Sequence, residues 1–290
     1  MAAISIEHLK KVYGRHIGVR DVSFSVEAGE IFGFVGPNGA GKTTTIKALM
    51  GFIMPTGGKA SVCGLDATKD SKKIKAFTGY VPSDVRLYPH MKVGELLRRN
   101  AGFYQEDCAQ ETGRLTALFE VDSEKRFHEL SSGNKKKIAI VCALMAKPRV
   151  IILDEPTNGL DPVMQRNLFE ELKRQTARGV TVLLSSHHLA EVEEYCRRAA
   201  FIRDGEIIAV TDLGEAAGPQ KIVTVSGANG PVPEGLEAVK AEGMYRTFRT
   251  RLGGSALLEA IGTLGPDDFT VQNESVEERF FSLYGLEGKQ

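Results

Sequence analysis

The stretch GPNGAGKT, residues 36–43, holds the first residue types whose spacing could do chemistry. It satisfies G-x-x-x-x-G-K-[ST] and stands between an apolar run, EIFGFV (30–35), and a helix-patterned one, TIKALMGF (45–52). Backbone N–H groups can converge on phosphate oxygens only where no Cβ blocks the approach. A helix that begins there adds the partial positive charge of its N-terminus. Gly36, Pro37, Asn38, Gly39, Ala40 and Gly41 form the turn, and Thr44 follows the motif. Lys42 is placed to reach the β and γ phosphates, and the Thr43 hydroxyl to coordinate magnesium.

Such a site needs a second half, a buried strand that ends in an acid able to help hold magnesium. VIILDE (150–155) supplies it, with Asp154 at the strand's end. Glu155 comes next, and the alternation of a strand would aim it differently from Asp154. A carboxylate there can polarise a water for attack on the γ phosphate. A third stretch, LSSGNKKK (130–137), sets two serines, a glycine and an asparagine before three lysines. Taken alone it fits a nucleic-acid patch, a solvated helix start or part of a site for a small anion.

Positioning these residues takes an alternating architecture. ISIEHL (4–9) and VSFSV (22–26) read as strands with one buried face, and EIFGFV as a central strand covered on both. From about residue 84 to 146 the texture is mostly helical, as in VGELLRRNAGFY and RLTALFEV. After VIILDE come a helix over about 162–178, a buried strand VTVLLSS (180–186) and a helix over 188–197. AAFIRDGEIIAV (199–210) reads as a hairpin turning at Asp204-Gly205. Strands alternating with helices predict an α/β fold with a mostly parallel sheet and an antiparallel edge at the start. Beyond about 215, GEAAGP and SGANGPVPEG read as linkers or loops. The strands KIVTV, MYRTFRTRL and DFTVQN and the helical stretches SALLEAIG and VEERFFSLY predict a small α+β appendage.

Composition narrows the function. With 42% hydrophobic and 26% charged residues, the 290-residue chain can bury a sizeable core. Lysine plus arginine equals aspartate plus glutamate at 37 each, which argues against a dedicated nucleic-acid binder. Cys63, Cys108, Cys142 and Cys196 lie far apart without metal-ligand spacing, as expected of free thiols in a reducing cytoplasm. MAAISIEHLKKVYG has no apolar signal core. The longest apolar stretch, IAIVCALMA (138–146), is far short of the roughly 20 residues of a membrane span. Work at a membrane would draw its spans from another chain.

In order and spacing these residues resemble one family, the ATP-binding cassette (ABC) ATPases, over roughly residues 3–215. GPNGAGKTT resembles its phosphate loop, and LSSGN its signature motif, usually LSGGQ. VIILDEPTNGLDP is similar to its magnesium strand and dimer-contact loop, and SSHHLAEVEEYCRRAAFIRDGEI to its switch-histidine segment. VYGRHIGVRDVSF resembles its N-terminal adenine contact. The resemblance implies a P-loop NTPase core with an antiparallel β subdomain and a helical subdomain at about 84–146. The ATPase domain would span 1–215 and an accessory domain 216–290. ATP and Mg2+ are the implied cofactors. Tyr13 would stack on adenine. Glu155 would be the catalytic base, and His187 would contact the γ phosphate and help hold the attacking water. His188 reads as a surface or packing residue. Ser131, Ser132, Gly133 and Asn134 would face the γ phosphate bound by a second copy, and Asp161 would couple two sites across the dimer.

Departures from the pattern matter as well. In GYVPSDVRLYP (79–89) Ser83 stands where the family carries a glutamine that senses the metal. A serine is shorter and would need a bridging water as a metal ligand, and Asp84 follows it. The loop would still be a hinge, and RLYPHMKVGELL (86–97) the segment that docks the membrane partner. In the signature, Ser132 replaces a glycine and Asn134 the glutamine. GNKKK, PSDVRLY and SVEERFFSLYG resemble a bacterial branch whose ATPase is a separate chain, including bacitracin-type antibiotic and multidrug exporters. That branch implies a head-to-tail dimer on the cytoplasmic face of the membrane, bound to separate permease subunits, with no nucleic-acid partner. The alternative is a soluble ABC ATPase acting on ribosomes, DNA or cluster assembly, or a regulatory one. Positive charge at a helix N-terminus opposes the helix dipole. The three lysines are therefore expected to add field near the nucleotide or to be solvated.

Overall fold

The protein, a computed structural model, is described over residues 2–104, 107–213 and 220–273. It divides into two compact units, Met1–Asp212 and Leu213–Gln290.

The first unit is built on a 10-stranded sheet. β1 (Ala2–Tyr13) and β2 (His16–Glu27) form an antiparallel hairpin. Their alternating apolar residues meet across it, Ile4 opposite Val26, Ile6 opposite Phe24 and Leu9 opposite Val22. β3 (Ile31–Val35) is buried at all five positions and leads into α1 (Lys42–Leu49). β4 (Gly57–Val62) and β5 (Leu65–Asp66) extend the antiparallel edge. α2 (Ser71–Phe77) returns the chain to β6 (Thr78–Val81). α3 (Val93–Ala101), α4 (Ala109–Leu118) and α5 (Ser132–Leu144) make the helical part. β7 (Val150–Asp154), α6 (Pro162–Thr176), β8 (Thr181–Ser186), α7 (Leu189–Tyr195), β9 (Arg198–Arg203) and β10 (Glu206–Asp212) follow.

The strand order is β5-β4-β1-β2-β10-β9-β3-β8-β7-β6. From β9 to β6 every neighbouring pair is parallel. β3, β7 and β8 are wholly buried, which explains the apolar runs IFGFV, VIIL and VLL within them. Phe24, Phe32, Phe34, Ile46 and Leu49 belong to one buried cluster, with the Phe24 and Phe32 rings stacked 5.4 Å apart. Each such side chain contributes about 1.5–3 kcal/mol when fully buried. This core fixes the C-terminal ends of β3, β7 and β8, where loops at the crevice of an open α/β sheet gather functional residues.

Among the described residues, the second unit is a four-stranded antiparallel sheet with one helix. β11 (Lys221–Ser226), β12 (Leu236–Glu242), β13 (Tyr245–Thr250) and β14 (Asp268–Asn273) take the order β12-β13-β11-β14. α8 (Gly254–Leu264) contributes Leu257, Ile261 and Leu264 to a core shared with Val223, Val225 and Phe248.

Three differences from the sequence reading stand out. β4, β5, α2, β6 and β12 are additional elements, the strands among them short or polar. No helix occupies residues 82–92, so the helical part begins at Val93. The 162–178 helix ends at Thr176 and the 188–197 helix at Tyr195. VEERFFSLY and GEAAGP lie outside the described residues. The four cysteines are free thiols.

Candidate active site

β3 delivers Gly36 to the phosphate loop, and α1 opens at Lys42 behind Gly41. Gly41 has φ 110°, and a Cβ there would sit 2.8 Å from the Gly18 carbonyl oxygen, so only glycine fits. Lys42 is buried, and its Nζ donates to the Gly36 and Pro37 carbonyls at 2.5 and 3.2 Å. The same ammonium lies 3.0 Å from Glu155 Oε1. Thr43 Oγ1 donates to Asp154 Oδ2 at 2.7 Å, and Ser185 Oγ donates to Asp154 Oδ1 at 2.7 Å. Asp154 is fully buried, with both oxygens engaged by hydroxyls from β8 and α1.

Glu155 is aimed by its backbone. β7 ends at Asp154, and Glu155 takes a left-handed conformation with φ 52°. The divergence of the two carboxylates thus comes from this turn, not from strand alternation. Its N–H is held by Ser185 Oγ at 3.1 Å and Ser185 O at 3.2 Å. Oε2 accepts from Asn158 Nδ2 at 3.3 Å and is bonded to His187 Nδ1. Lys42, Glu155, Asn158 and His187 therefore form one connected cluster. The His187 and His188 rings lie 4.0 Å apart, and His188 precedes α7.

Beside the cluster lies a cavity of about 380 Å³. Tyr13, His16 and Gly18 line one part of it, and Pro37 to Gly39, Gly41 to Thr44, Ser83, Glu155 and Asn158 the rest. Tyr13 is 44% exposed, with Lys11 Nζ 4.9 Å from the ring centroid. Ser83 reaches the cavity, whereas the Asp84 carboxylate is bound by Arg86 Nε at 2.7 Å.

The signature stretch sits elsewhere. Ser131, Ser132, Gly133, Asn134 and Asp161 are not among the residues that line the cavity. Ser131 caps α5, its Oγ accepting from the Asn134 N–H at 3.3 Å. A Cβ on Gly133 would lie 2.1 Å from the Gly159 carbonyl oxygen, so the loop after Glu155 presses on the first turn of α5. Asp161 caps α6 by accepting from the Met164 N–H at 3.0 Å.

The comparisons with known proteins decide the family. The ABC transporter family profile matches residues 19–158. The linearmycin resistance ATP-binding protein LnrL of Bacillus subtilis (strain 168) is 36% identical over 236 residues, covering 78% of this chain and 76% of the relative. The chain belongs to the ABC transporter ATP-binding family. The Nod factor export ATP-binding protein I of Paraburkholderia xenovorans (strain LB400) is 38% identical to this ABC ATPase, over 72% of it and 70% of the relative. A solved ATP-binding subunit of an ABC transporter superposes with TM-score 0.68 at 32% identity, covering 73% of this chain and 90% of that one. A dimeric cassette bound to ADP and phosphate shares the fold, with TM-score 0.67 at 22% identity over 73% of this chain and 99% of that one. The protein is thus an ABC ATPase, which binds ATP and hydrolyses it to ADP and phosphate.

Several residues of the ABC ATPase site escape a reading by motif. Ser185 joins Asp154 to the Glu155 N–H, and the only hint is that VTVLLSS ends in two polar residues. Glu191 Oε2 accepts from Thr157 Oγ1 and Ser186 Oγ, each at 3.2 Å, and ties the loop after Glu155 to the histidine segment. Burial raises its carboxyl above the usual range, against those hydrogen bonds and the two histidines.

The lysines correct an expectation. Lys136 and Lys137 are buried, not solvated, at 3% and 8% exposure, and Lys135 lies over the Phe127 ring. Lys136 Nζ donates to the carbonyls of Pro82, Ser83 and Glu155 at 2.9, 2.9 and 3.1 Å. Burial draws its ammonium below the usual lysine range, while Asp154, Glu155 and Asp84 pull the other way. The spacing did carry a signal, because Lys136, Ile140 and Leu144 fall on one buried stripe of α5.

Proposed function

We propose that this ABC ATPase hydrolyses ATP with Glu155 as the base, in a head-to-tail dimer that drives export through separate membrane subunits. The observation that carries the reading is the Lys42–Glu155–His187 cluster, set against Thr43–Asp154 at the edge of a cavity that begins at Tyr13. In it Tyr13 stacks on adenine, and the backbone of Gly36 to Thr44 wraps the phosphates. All three protons of Lys42 are engaged, so a phosphate oxygen that pairs with it displaces one partner. Glu155 then takes a proton from the attacking water while His187 holds the carboxylate and the γ phosphate in register. The phosphorus–oxygen bond to ADP breaks as the bond to water forms.

The donors present fit magnesium. Thr43 and Asp154 offer hard oxygens side by side, and no cluster of three or more His, Cys, Asp or Glu ligands exists among the described residues. Magnesium prefers such a site, with one or two protein oxygens completed by phosphates and waters. It would neutralise charge developing on the phosphates. Ser83, lining the same cavity, would reach it through water.

Dimerisation accounts for the signature residues. The first turn of α5 would face the γ phosphate held by a second copy, and Asp161 would lie where the copies meet. The named functions of the relatives, linearmycin resistance and Nod factor export, support export as the work done. No helix among the described residues is long and apolar enough to cross a membrane. The spans would belong to permease subunits, which hold the ATPase at the cytoplasmic face. Leu87 and Tyr88, 37% and 68% exposed, would help dock them. The second compact unit would be an accessory module.

The test is Glu155→Gln. Hydrolysis, followed by phosphate release, should fall at least about 100-fold, the loss expected of a missing general base, while ATP binding persists. Near-normal turnover in that variant would refute the role of Glu155.

A further inference from the structure

Lys136 is a buried cation whose three protons meet three backbone carbonyls, those of Pro82, Ser83 and Glu155. An ammonium has three donors and no acceptor, so the group is satisfied in full. The carbonyls come from two different loops. Pro82 and Ser83 follow β6, and Glu155 follows β7. Lys136 itself rides on α5, whose first turn carries the signature.

Glu155 needs such a tie. Its φ of 52° is a conformation that a non-glycine residue keeps only where its surroundings over-determine it. Ser185 holds its N–H from the β8 side, and Lys136 holds its carbonyl from the α5 side. Between these two restraints the side chain is left pointing at Lys42 and His187.

We propose that Lys136 is a positioning residue, which fixes the Glu155 turn to the Pro82–Ser83 loop so that the aim of the carboxylate follows the position of that loop. The inference rests on the reading of Glu155 as the base. Movement of the loop then reaches the reacting acid through one side chain, without passing through the nucleotide.

Lys136→Met keeps an unbranched side chain only one atom shorter and removes all three donors. It is expected to lower kcat about 10- to 100-fold, the scale of a roughly 1 Å misplacement, with the Kd for ATP unchanged within about twofold. Lys136→Arg, which keeps charge and donors, is expected to fall between K136M and the wild type. Should K136M fail to fold, Lys136→Gln replaces it under the same criteria. A kcat within about threefold of wild type overturns the proposal, as does a loss of ATP affinity that parallels the loss of rate. K136R no faster than K136M also overturns it, because packing alone would then explain the loss. E155Q measured alongside separates the two ideas. If E155Q turns over normally, the reading of Glu155 fails; if E155Q is slow and K136M is fast, only the role of Lys136 fails.

Discussion

The phosphate loop and the signature stretch are two glycine-bearing helix starts in one chain, and they are finished differently. At the first, Gly41 in a left-handed conformation lets α1 begin at Lys42, and the turn closes around a cavity lined by its own chain. At the second, Ser131 caps α5, and Gly133 is pressed against Gly159, but no residue of that turn lines the cavity. The lysines diverge in the same way. Lys42 is paired with the Glu155 carboxylate, whereas Lys136 is bound to three carbonyls of its own chain. On the proposed reading, the same physics of exposed N–H groups serves a complete half-site in one place and a half awaiting a second copy in the other.

The comparison breaks most sharply at Lys42. Lys42→Met removes the cation from the complete half-site, and hydrolysis should drop at least about 100-fold, the cost of losing a preorganised electrostatic contact. ATP binding should weaken with it, measured with a fluorescent ATP analogue. If binding and phosphate release both persist, the cavity is not the phosphate site.

Ser131→Arg tests the other half. The lost cap should cost about 1 kcal/mol of stability, readable as a small drop in Tm. Binding of ATP by the monomer should be unchanged within about twofold, because Ser131 lies outside the cavity, whereas ATP-driven dimerisation, followed by size-exclusion chromatography, should be lost. An S131R protein that still dimerises and hydrolyses ATP normally removes the signature from the site.

Legibility followed the same division. The phosphate loop could be read because its chemistry is local, with glycines, lysine and threonine contiguous and flanked by a buried strand and a helix. Asp154 and Glu155 were readable as a pair, but the turn that aims Glu155 was not, since a positive φ leaves no mark on a glutamate. The three lysines read as a source of field near the nucleotide or as solvated, and burial of Lys136 and Lys137 removes only the second expectation for those two. A run of lysines suggests solvent, yet two of the three are buried, and the only mark of this is the stripe that Lys136 shares with Ile140 and Leu144. Ser185 and Glu191 act across chain separations of about thirty residues, joining loops that the sheet brings together. β5 and β6 carried weak patterns because they are short, and β4 because it is exposed at Gly58 and Lys59 and holds few apolar residues.

The smallest expected effect sharpens the comparison at the far side of the complete half-site. Tyr13 reaches the cavity from the end of β1 and is not part of the Lys42–Glu155–Asn158–His187 cluster, so it would contribute to holding the base and not to chemistry. Stacking of a base on an aromatic ring is worth about 1–3 kcal/mol, and a ring that stays 44% exposed belongs at the low end. Tyr13→Ala should therefore raise the KM for ATP about fivefold, which corresponds to about 1 kcal/mol, with kcat changed less than about twofold. Steady-state kinetics separate the two parameters. A fall in kcat at constant KM would mean that Tyr13 supports the phosphate loop through packing, and the adenine would have to be sought elsewhere along the cavity.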